Sequence, residues 1–315
     1  MPLSSPKVAI IIVNWNGWQD TIECLGSLEK VTYPNFSVYV VDNGSTDESI
    51  EKLDAYQLSA ISYKLIKNGQ NLGFAGGNNV GIKKALEDGA DYLLLLNNDT
   101  LVSPDFLAEL VQTAESEARI GIVGPKIYFT EEQIANNRKQ ERKIWFGGGK
   151  LNWLKTKGHH ANYGVSDADV SSNSKFQILD SEYITGCCLL IKRTVIERIG
   201  LLSEDYFLYY EDVDWCLKAK KAGFRVVYVP GAHIWHKVSR SAKPGSSSYV
   251  YYHVRNCLML SWRHGNTLTK LVLPFFIAWT FGKQLIKLCI PGKRMWAQAV
   301  LKGMGDFLAG KSGKL

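Results

Sequence analysis

Val8-Ala9-Ile10-Ile11-Ile12-Val13, broken by Asn14-Trp15-Asn16-Gly17, is the stretch on which the fold turns. It is apolar at every position, without alternation, as a strand buried on both faces of a parallel sheet requires. The pattern recurs: Phe36–Val41 ends at Asp42, Ile61–Ile66 runs into Lys67, and Tyr92–Leu96 delivers Asn97-Asn98-Asp99. Helical segments separate these runs over Trp18–Lys30, Thr46–Tyr56 and Asn78–Asp88. A fourth runs to about Glu117, with Pro104 in its first turn and Ser103 as its N-cap. Strand and helix alternating at this spacing predict an α/β fold: a doubly wound, mostly parallel sheet with right-handed crossovers. Ligands of such sheets bind beyond the carboxyl ends of the strands. The loops at 14–17, 42–47, 67–77 and 97–100 all fall at that edge, which predicts one polar cleft.

Further along, residues 126–181 become polar and glycine-rich and read as an irregular insertion that could cover the cleft. Order returns with a strand over Thr185–Ile191, a short helix from Thr194 and a strand over Arg225–Val229, before Pro230-Gly231. Ser239–Ser248 reads as a polar, flexible loop.

At 315 residues, with 46% apolar and 21% charged side chains, the chain has length for a real core and is not a disordered polypeptide. Its six cysteines form no CxxC pair and no zinc-like spacing, which suits buried thiols in a reducing compartment. With no signal peptide read at the N-terminus, a cytosolic protein is expected. The net charge of +7 is uneven: from Arg263 onward there are nine Lys and Arg against a single acid, Asp306. The same segment, 266–315, holds the apolar run Leu271–Phe281, which by itself is too short to span a bilayer. Phe275, Trp279, Ile286 and Ile290 share a helical face with Lys283 and Lys287 on its shoulder. That suits a helix lying on an anionic membrane surface, or alternatively a helix packed on the domain with a solvated basic side. Nucleic-acid binding is disfavoured, because the basic residues accompany apolar sequence.

Three segments could carry chemistry. Tyr210-Glu211-Asp212-Val213-Asp214 packs three acids into four positions at a loop-to-helix junction. That density is costly unless a cation, a proton or solvent relieves it. Asn71–Asn79 is a glycine-rich turn entering a helix; it suits phosphate oxygens, yet it is neither GxGxxG nor GxxxxGK[ST], and an ordinary turn explains it as well. Asp99, heading a polar turn after an apolar strand, is placed either to hold a divalent cation or to cap the turn. His236 follows the last strand and is as readily structural, with His233 nearby.

Six motifs in order then carry a resemblance: Asn14-Trp15-Asn16-Gly17, Asp42-Asn43-Gly44-Ser45-Thr46-Asp47, Asn71-Leu72-Gly73-Phe74-Ala75-Gly76-Gly77-Asn78, Asn97-Asn98-Asp99, Thr185-Gly186-Cys187 and Tyr210–Asp214. Residues 7–265 resemble glycosyltransferase family 2, in particular its rhamnosyltransferase-like branch of surface-polysaccharide assembly. The resemblance implies a GT-A fold, a nucleotide-binding half over about 7–125 and an acceptor half over about 126–265. It implies a nucleotide-diphospho-sugar donor, a divalent metal (Mg²⁺ or Mn²⁺) and inversion at the anomeric carbon. Asn14, Asp42 and Asn43 would line the nucleoside pocket, and Gly73, Gly76, Asn78 and Asn98 the ribose and diphosphate. Asp99 would hold the metal, with His236 as a second ligand, since Asn97-Asn98-Asp99 stands where many relatives have Asp-x-Asp. Arg255 would reach the diphosphate. Gly186, Cys187 and Trp215 would contact the acceptor, a glycan or a polyprenyl-linked sugar. Asp212 would be the general base, with Glu211 orienting base or acceptor. The Asp214–Lys218 pair would be weaker than the Asp–Arg pair common in relatives.

A nucleotidyltransferase of the same fold class would need a basic glycine-rich loop after the first strand, which Asn14-Trp15-Asn16-Gly17 does not provide. A non-catalytic membrane scaffold would leave Asp99 and Asp212 without a shared task. Rhamnose is the first expectation for the sugar, with UDP-linked donors (galactofuranosyl, glucosyl or galactosyl) the alternative.

Overall fold

A computed structural model of the chain describes residues 5–58, 60–130, 142–154, 157–170, 178–237 and 245–315. The first half is the expected α/β alternation: β1 (Val8–Asn14), α1 (Trp18–Leu28), β2 (Phe36–Asp42), α2 (Ser49–Ala55), β3 (Tyr63–Lys67), α3 (Gly73–Glu87) and β4 (Tyr92–Leu96). The short β5 (Thr100–Val102), α4 (Phe106–Glu115) and the long β6 (Ile120–Phe129) follow. Ser103 is not the cap of α4. The cap position is Asp105, and the Ser103 hydroxyl donates to its carboxylate at 3.0 Å.

After β6 come β7 (Ile144–Phe146), β8 (Gly149–Asn152), β9 (Lys157–His160), β10 (Leu179–Asp180) and β11 (Cys188–Lys192). Then α5 (Arg193–Ile199), α6 (Glu211–Lys221), β12 (Arg225–His236), α7 (Ser247–His264), α8 (Thr267–Leu288) and α9 (Arg294–Leu308) complete the chain. Among the described residues ten strands form one sheet, along β10-β12-β6-β11-β4-β1-β2-β3, with β5 on β12 and β7 on β6. Neighbours from β3 to β4 are parallel, β11 runs antiparallel between β4 and β6, and β12 returns parallel to β6. The strand order reverses between β1 and β4, where an open α/β sheet leaves its crevice. The core lies on both faces of this sheet, and every residue of β4 is buried.

Two expectations are corrected here. The described part of 126–181 is regular in part: residues 126–129 complete β6, β7 pairs with it, and β8 and β9 form an antiparallel hairpin tied to Ser181 and Glu182, while residues 161–170 run in turns. β12 continues through Pro230-Gly231 as far as His236, absorbing the proline in a register shift between Val229 and His233. A bulge is where a sheet tolerates a residue that cannot donate to the ladder. The flexible loop expected at 239–248 falls largely outside the described residues, and α7 begins at Ser247, capped by the Ser246 side chain.

The C-terminal helices have a small core of their own, Leu258, Leu273 and Met304. α8 incorporates Pro274 and extends well beyond Leu271–Phe281; by length and composition it could cross a membrane, unlike the shorter run seen in the sequence. Its outward face leaves Phe275 77%, Trp279 67% and Ile286 68% exposed.

Candidate active site

Register brings the polar loops together. Asn14 lies opposite Asp42 across β1 and β2, and Leu96 opposite Cys188 across β4 and β11. Because β11 is antiparallel, its first residues lie at the carboxyl edge of the parallel strands, and the Asn97 N–H donates to the Cys187 carbonyl at 2.9 Å.

The first wall is a network of buried side chains. Asp42 is fully buried; one oxygen accepts from Asn14 Nδ2 at 2.9 Å and Ser45 Oγ at 2.6 Å, the other from the Ser45 N–H at 3.0 Å. Asn14 Oδ1 accepts from Thr21 Oγ1 at 2.8 Å, and Asn98 Nδ2 donates to Thr21 Oγ1 and to the Gly17 carbonyl. Asn43 donates to the Gly73 carbonyl and accepts from the Leu72 N–H, fastening the start of α3 to the end of β2. Asn78 Nδ2 turns back onto the Phe74 carbonyl. Thr21 and Ser45 join these loops: Ser45 lies within the Asp42–Asp47 motif without an expected role, and Thr21 stands in no pattern that marks it.

The glycines of Asn71–Asn79 lie within α3 itself. Gly73 has φ +75°, and a Cβ there would strike the Phe207 carbonyl; at Gly76 it would meet Leu72 Cβ at 2.7 Å. At Gly81 it would meet Ile11 at 2.6 Å. Missing Cβ atoms therefore let α3 approach both the sheet and the 207 loop.

The second wall pairs Asp99 with His236. β12 sets His236 opposite Thr100, and His236 Nε2 lies 3.1 Å from Asp99 Oδ1, both side chains buried, with the Trp145 ring edge-on to the imidazole. A carboxylate oxygen and an imidazole nitrogen at this separation form a two-ligand edge for a divalent cation. Among the described residues no third His, Cys, Asp or Glu completes a metal cluster, so the other ligands would come from substrate oxygens and water.

The third wall is the N-terminus of α6. The Gly186 N–H donates to Asp212 Oδ2 at 2.7 Å and the Val213 N–H to Oδ1 at 2.8 Å. A Cβ on Gly186 would stand 3.0 Å from the Phe74 ring and 3.4 Å from Asp212 Cβ. Burial pushes the Asp212 carboxyl upward, and the Gly186 and Val213 N–H groups pull it partly back. Glu211 is pushed well above the ordinary range by burial and then by the Asp212 charge. Burial raises the Cys187 thiol, and the carboxylates of Asp99 and Asp212 are both among the charges that push it further. Asp99 and Asp212 thus share one edge of the sheet.

The approach to α6 is strained. Phe207, Tyr209 and Tyr210 have φ of 60°, 69° and 74°. A non-glycine residue in this left-handed region costs about 1–2 kcal/mol. Such conformations persist where the surroundings over-determine them, and they gather at functional sites.

Three sequence expectations change. Arg255 is buried, its donors on the Asn256 side chain, the Tyr251 hydroxyl and the carbonyls of Asp205, Tyr206 and Gly313, so it has an architectural task in place of the diphosphate contact. Trp215 is fully buried with Nε1 on the Gly200 carbonyl, behind the site, so it does not face an acceptor. Asp214 is not held by Lys218 alone. Lys218 Nζ lies 2.6 Å from one oxygen, while His264 Nε2, at 2.7 Å, and the Tyr206 hydroxyl, at 3.1 Å, take the other. Burial works against that charge, but His264 and Lys218 hold Asp214 below the ordinary aspartate value.

The profile of glycosyl transferase family 2 matches residues 9–200, most of the chain and all of the first two walls except His236. The chain belongs to glycosyl transferase family 2. It is 27% identical over 256 residues to the N-acetylglucosaminyl-diphospho-decaprenol L-rhamnosyltransferase of Mycobacterium tuberculosis, covering 76% of this chain and 79% of that protein. It is 25% identical to the dTDP-rhamnosyl transferase RfbF of Shigella flexneri, covering 81% and 79%. It also matches a Sinorhizobium fredii protein, y4gI, of whose length it spans 25%. Among solved structures, GalNAc-T7 with UDP, GalNAc and Mn²⁺ superposes over 97% of this chain and 56% of its own, with TM-score 0.66 at 19% identity. The fold is GT-A, and the chain is a family 2 glycosyltransferase.

Proposed function

We propose that this family 2 enzyme transfers a hexose, rhamnose first among candidates, from a nucleotide-diphospho-sugar to a hydroxyl of a lipid-linked or glycan acceptor. Transfer is a single inverting displacement with Asp212 as the base. The observation that carries the reading is Asp212, held by the Gly186 N–H at the start of α6, on the sheet edge where the Asn97 N–H, two residues before Asp99, bonds the Cys187 carbonyl. The names of the mycobacterial and Shigella relatives support a dTDP-rhamnose donor and a polyprenyl-diphosphate acceptor.

Asp212 accepts the proton of the attacking hydroxyl, a step worth about 10²–10⁴-fold when a base is well placed. Burial and the Asp212 charge push the Glu211 carboxyl well above the ordinary range, which favours Asp212 as the charged member of the pair, and Glu211 orients it or the acceptor. A bound divalent cation would supply charge stabilisation at the departing diphosphate. Asp99 and His236 would hold it; an imidazole ligand favours Mn²⁺ over Mg²⁺. The loops of Asn14, Asp42, Asn43, Gly73, Gly76, Asn78 and Asn98 would receive the nucleotide, and the Gly186-Cys187 edge the acceptor. We place the enzyme at the cytosolic face of a membrane. Leu273 of α8 packs inward while Phe275, Trp279 and Ile286 face out beside Lys283 and Lys287, an asymmetry suited to lying on a surface.

Calorimetric titration with dTDP, UDP and GDP, each with and without Mn²⁺, tests the donor site. The expected result is Mn²⁺-dependent binding of dTDP that Asp99→Ala weakens by about tenfold or more. Binding of UDP in its place moves the donor to UDP-sugars, and binding of none sinks the reading.

A further inference from the structure

We propose that Arg255 and Asn256 are positioning residues for sugar transfer: from α7 they hold the strained segment Tyr206–Tyr210 so that Glu211 and Asp212 open α6 at the cleft. The inference rests on Asp212 being the base.

The backbone carbonyls before α6 converge on these two side chains. Asn256 Nδ2 donates to the carbonyls of Tyr206, Leu208 and Tyr209 at 2.9, 2.7 and 3.0 Å. Arg255 Nη2 donates to those of Asp205 and Tyr206, each at 3.1 Å. Arg255 Nε donates to Asn256 Oδ1 at 2.9 Å, which fixes the amide so that its N–H groups aim at the loop. Both side chains are buried, and a guanidinium set over the Tyr251 and Tyr252 rings is held there by what it bonds. Three residues of the loop take φ values that their side chains disfavour, so the conformation needs outside support. The far side of the loop is tied to α3, where the Phe74 N–H donates to the Phe207 carbonyl at 2.7 Å. The Tyr210 carbonyl accepts from the Asp214 N–H, the first turn of α6. One short segment thus joins the glycine-bearing helix to the base, and Arg255 and Asn256 set its shape.

The test is steady-state kinetics of Asn256→Leu and Arg255→Lys on the full chain, with dTDP-rhamnose and an N-acetylglucosaminyl-diphospho-polyprenol. Asp212→Asn and the Asp212→Asn/Asn256→Leu double variant are measured alongside. The expected result is kcat about 100-fold down in Asn256→Leu, as for a slightly misplaced reacting group, with the donor KM within about twofold. The double variant should be no slower than Asp212→Asn alone, because Asn256 acts through that carboxylate. Hydrogen exchange on the full chain needs no substrate and no base assignment. Peptides over 206–214 should exchange about tenfold faster or more in Asn256→Leu, with β1 to β4 unchanged. Arg255→Lys, which keeps the charge and loses the fork, should show the same pattern more weakly if Asn256→Leu does not fold. Unchanged exchange over 206–214, or a loss that appears in donor KM or multiplies with Asp212→Asn, overturns the positioning role. Full activity in Asp212→Asn instead overturns the base, leaving the exchange result to judge the loop.

Discussion

As the proposed base, Asp212 has to be charged at neutral pH inside a site whose burial favours the neutral acid. The two N–H groups that hold its oxygens, with the N-terminus of α6, are the physical means of keeping it ionised. We expect Asp212→Asn to lower kcat by about 10²–10⁴-fold in a sugar-transfer assay while nucleotide binding, read by calorimetry, is unchanged. The sign of the pH dependence follows from the raised carboxyl. Transfer is complete above that value and is lost as pH falls through it, so the acidic limb of the kcat profile should lie above the ordinary aspartate range. A limb at the ordinary value would mean that Asp212 is solvated during turnover. At this scale the acids were legible: a carboxylate after an apolar run or at a helix start declares its edge. Arg255 and Trp215 were misread for the complementary reason. A side chain's type does not reveal whether other elements will cover it, and both are covered.

At the scale of the element, α3 shows why the glycine-rich motif admits two explanations. Gly73 is required by φ +75° and by the Phe207 carbonyl, whereas Gly89, at φ +79°, has open space where its Cβ would lie. Gly73→Ala should therefore cost more stability than Gly89→Ala. The second carries about 1 kcal/mol of backbone strain, and the first adds a collision that displaces the 207 loop. Chemical denaturation of the two variants measures the difference, and equal losses would mean that the loop yields freely. β12 carries the opposite lesson. Pro230-Gly231 reads locally as a stop, but the ladder with β6 resumes at His233 and carries His236 to Asp99. The ladder regained on the far side of the bulge outweighs the bonds lost at the proline, a balance that depends on a neighbour distant in sequence.

Across the whole molecule, the proposed membrane contact runs through the outward face of α8 and the basic residues beside it. Phe275→Glu and Trp279→Glu should each weaken binding to phosphatidylglycerol vesicles by about tenfold, in a co-sedimentation assay, since each removes a large apolar side chain from the interface. Raised salt should weaken the wild type in part. Vesicle binding unaffected by either change would turn this face toward a protein partner. The chain by itself determined what local pattern controls: four parallel strands, the helices between them, the acids at their carboxyl ends and the amphipathic C-terminal face. Each follows from periodicity or from a neighbour within a turn or two. The tertiary structure decided whatever needs a distant partner. It set β11 antiparallel beside β4, so that Gly186 reaches Asp212; it took β12 past its proline; and it buried Arg255 and Asn256 against five backbone carbonyls. Those contacts join residues far apart in the chain, and a buried polar group finds its hydrogen-bond partners only when the fold has closed around it.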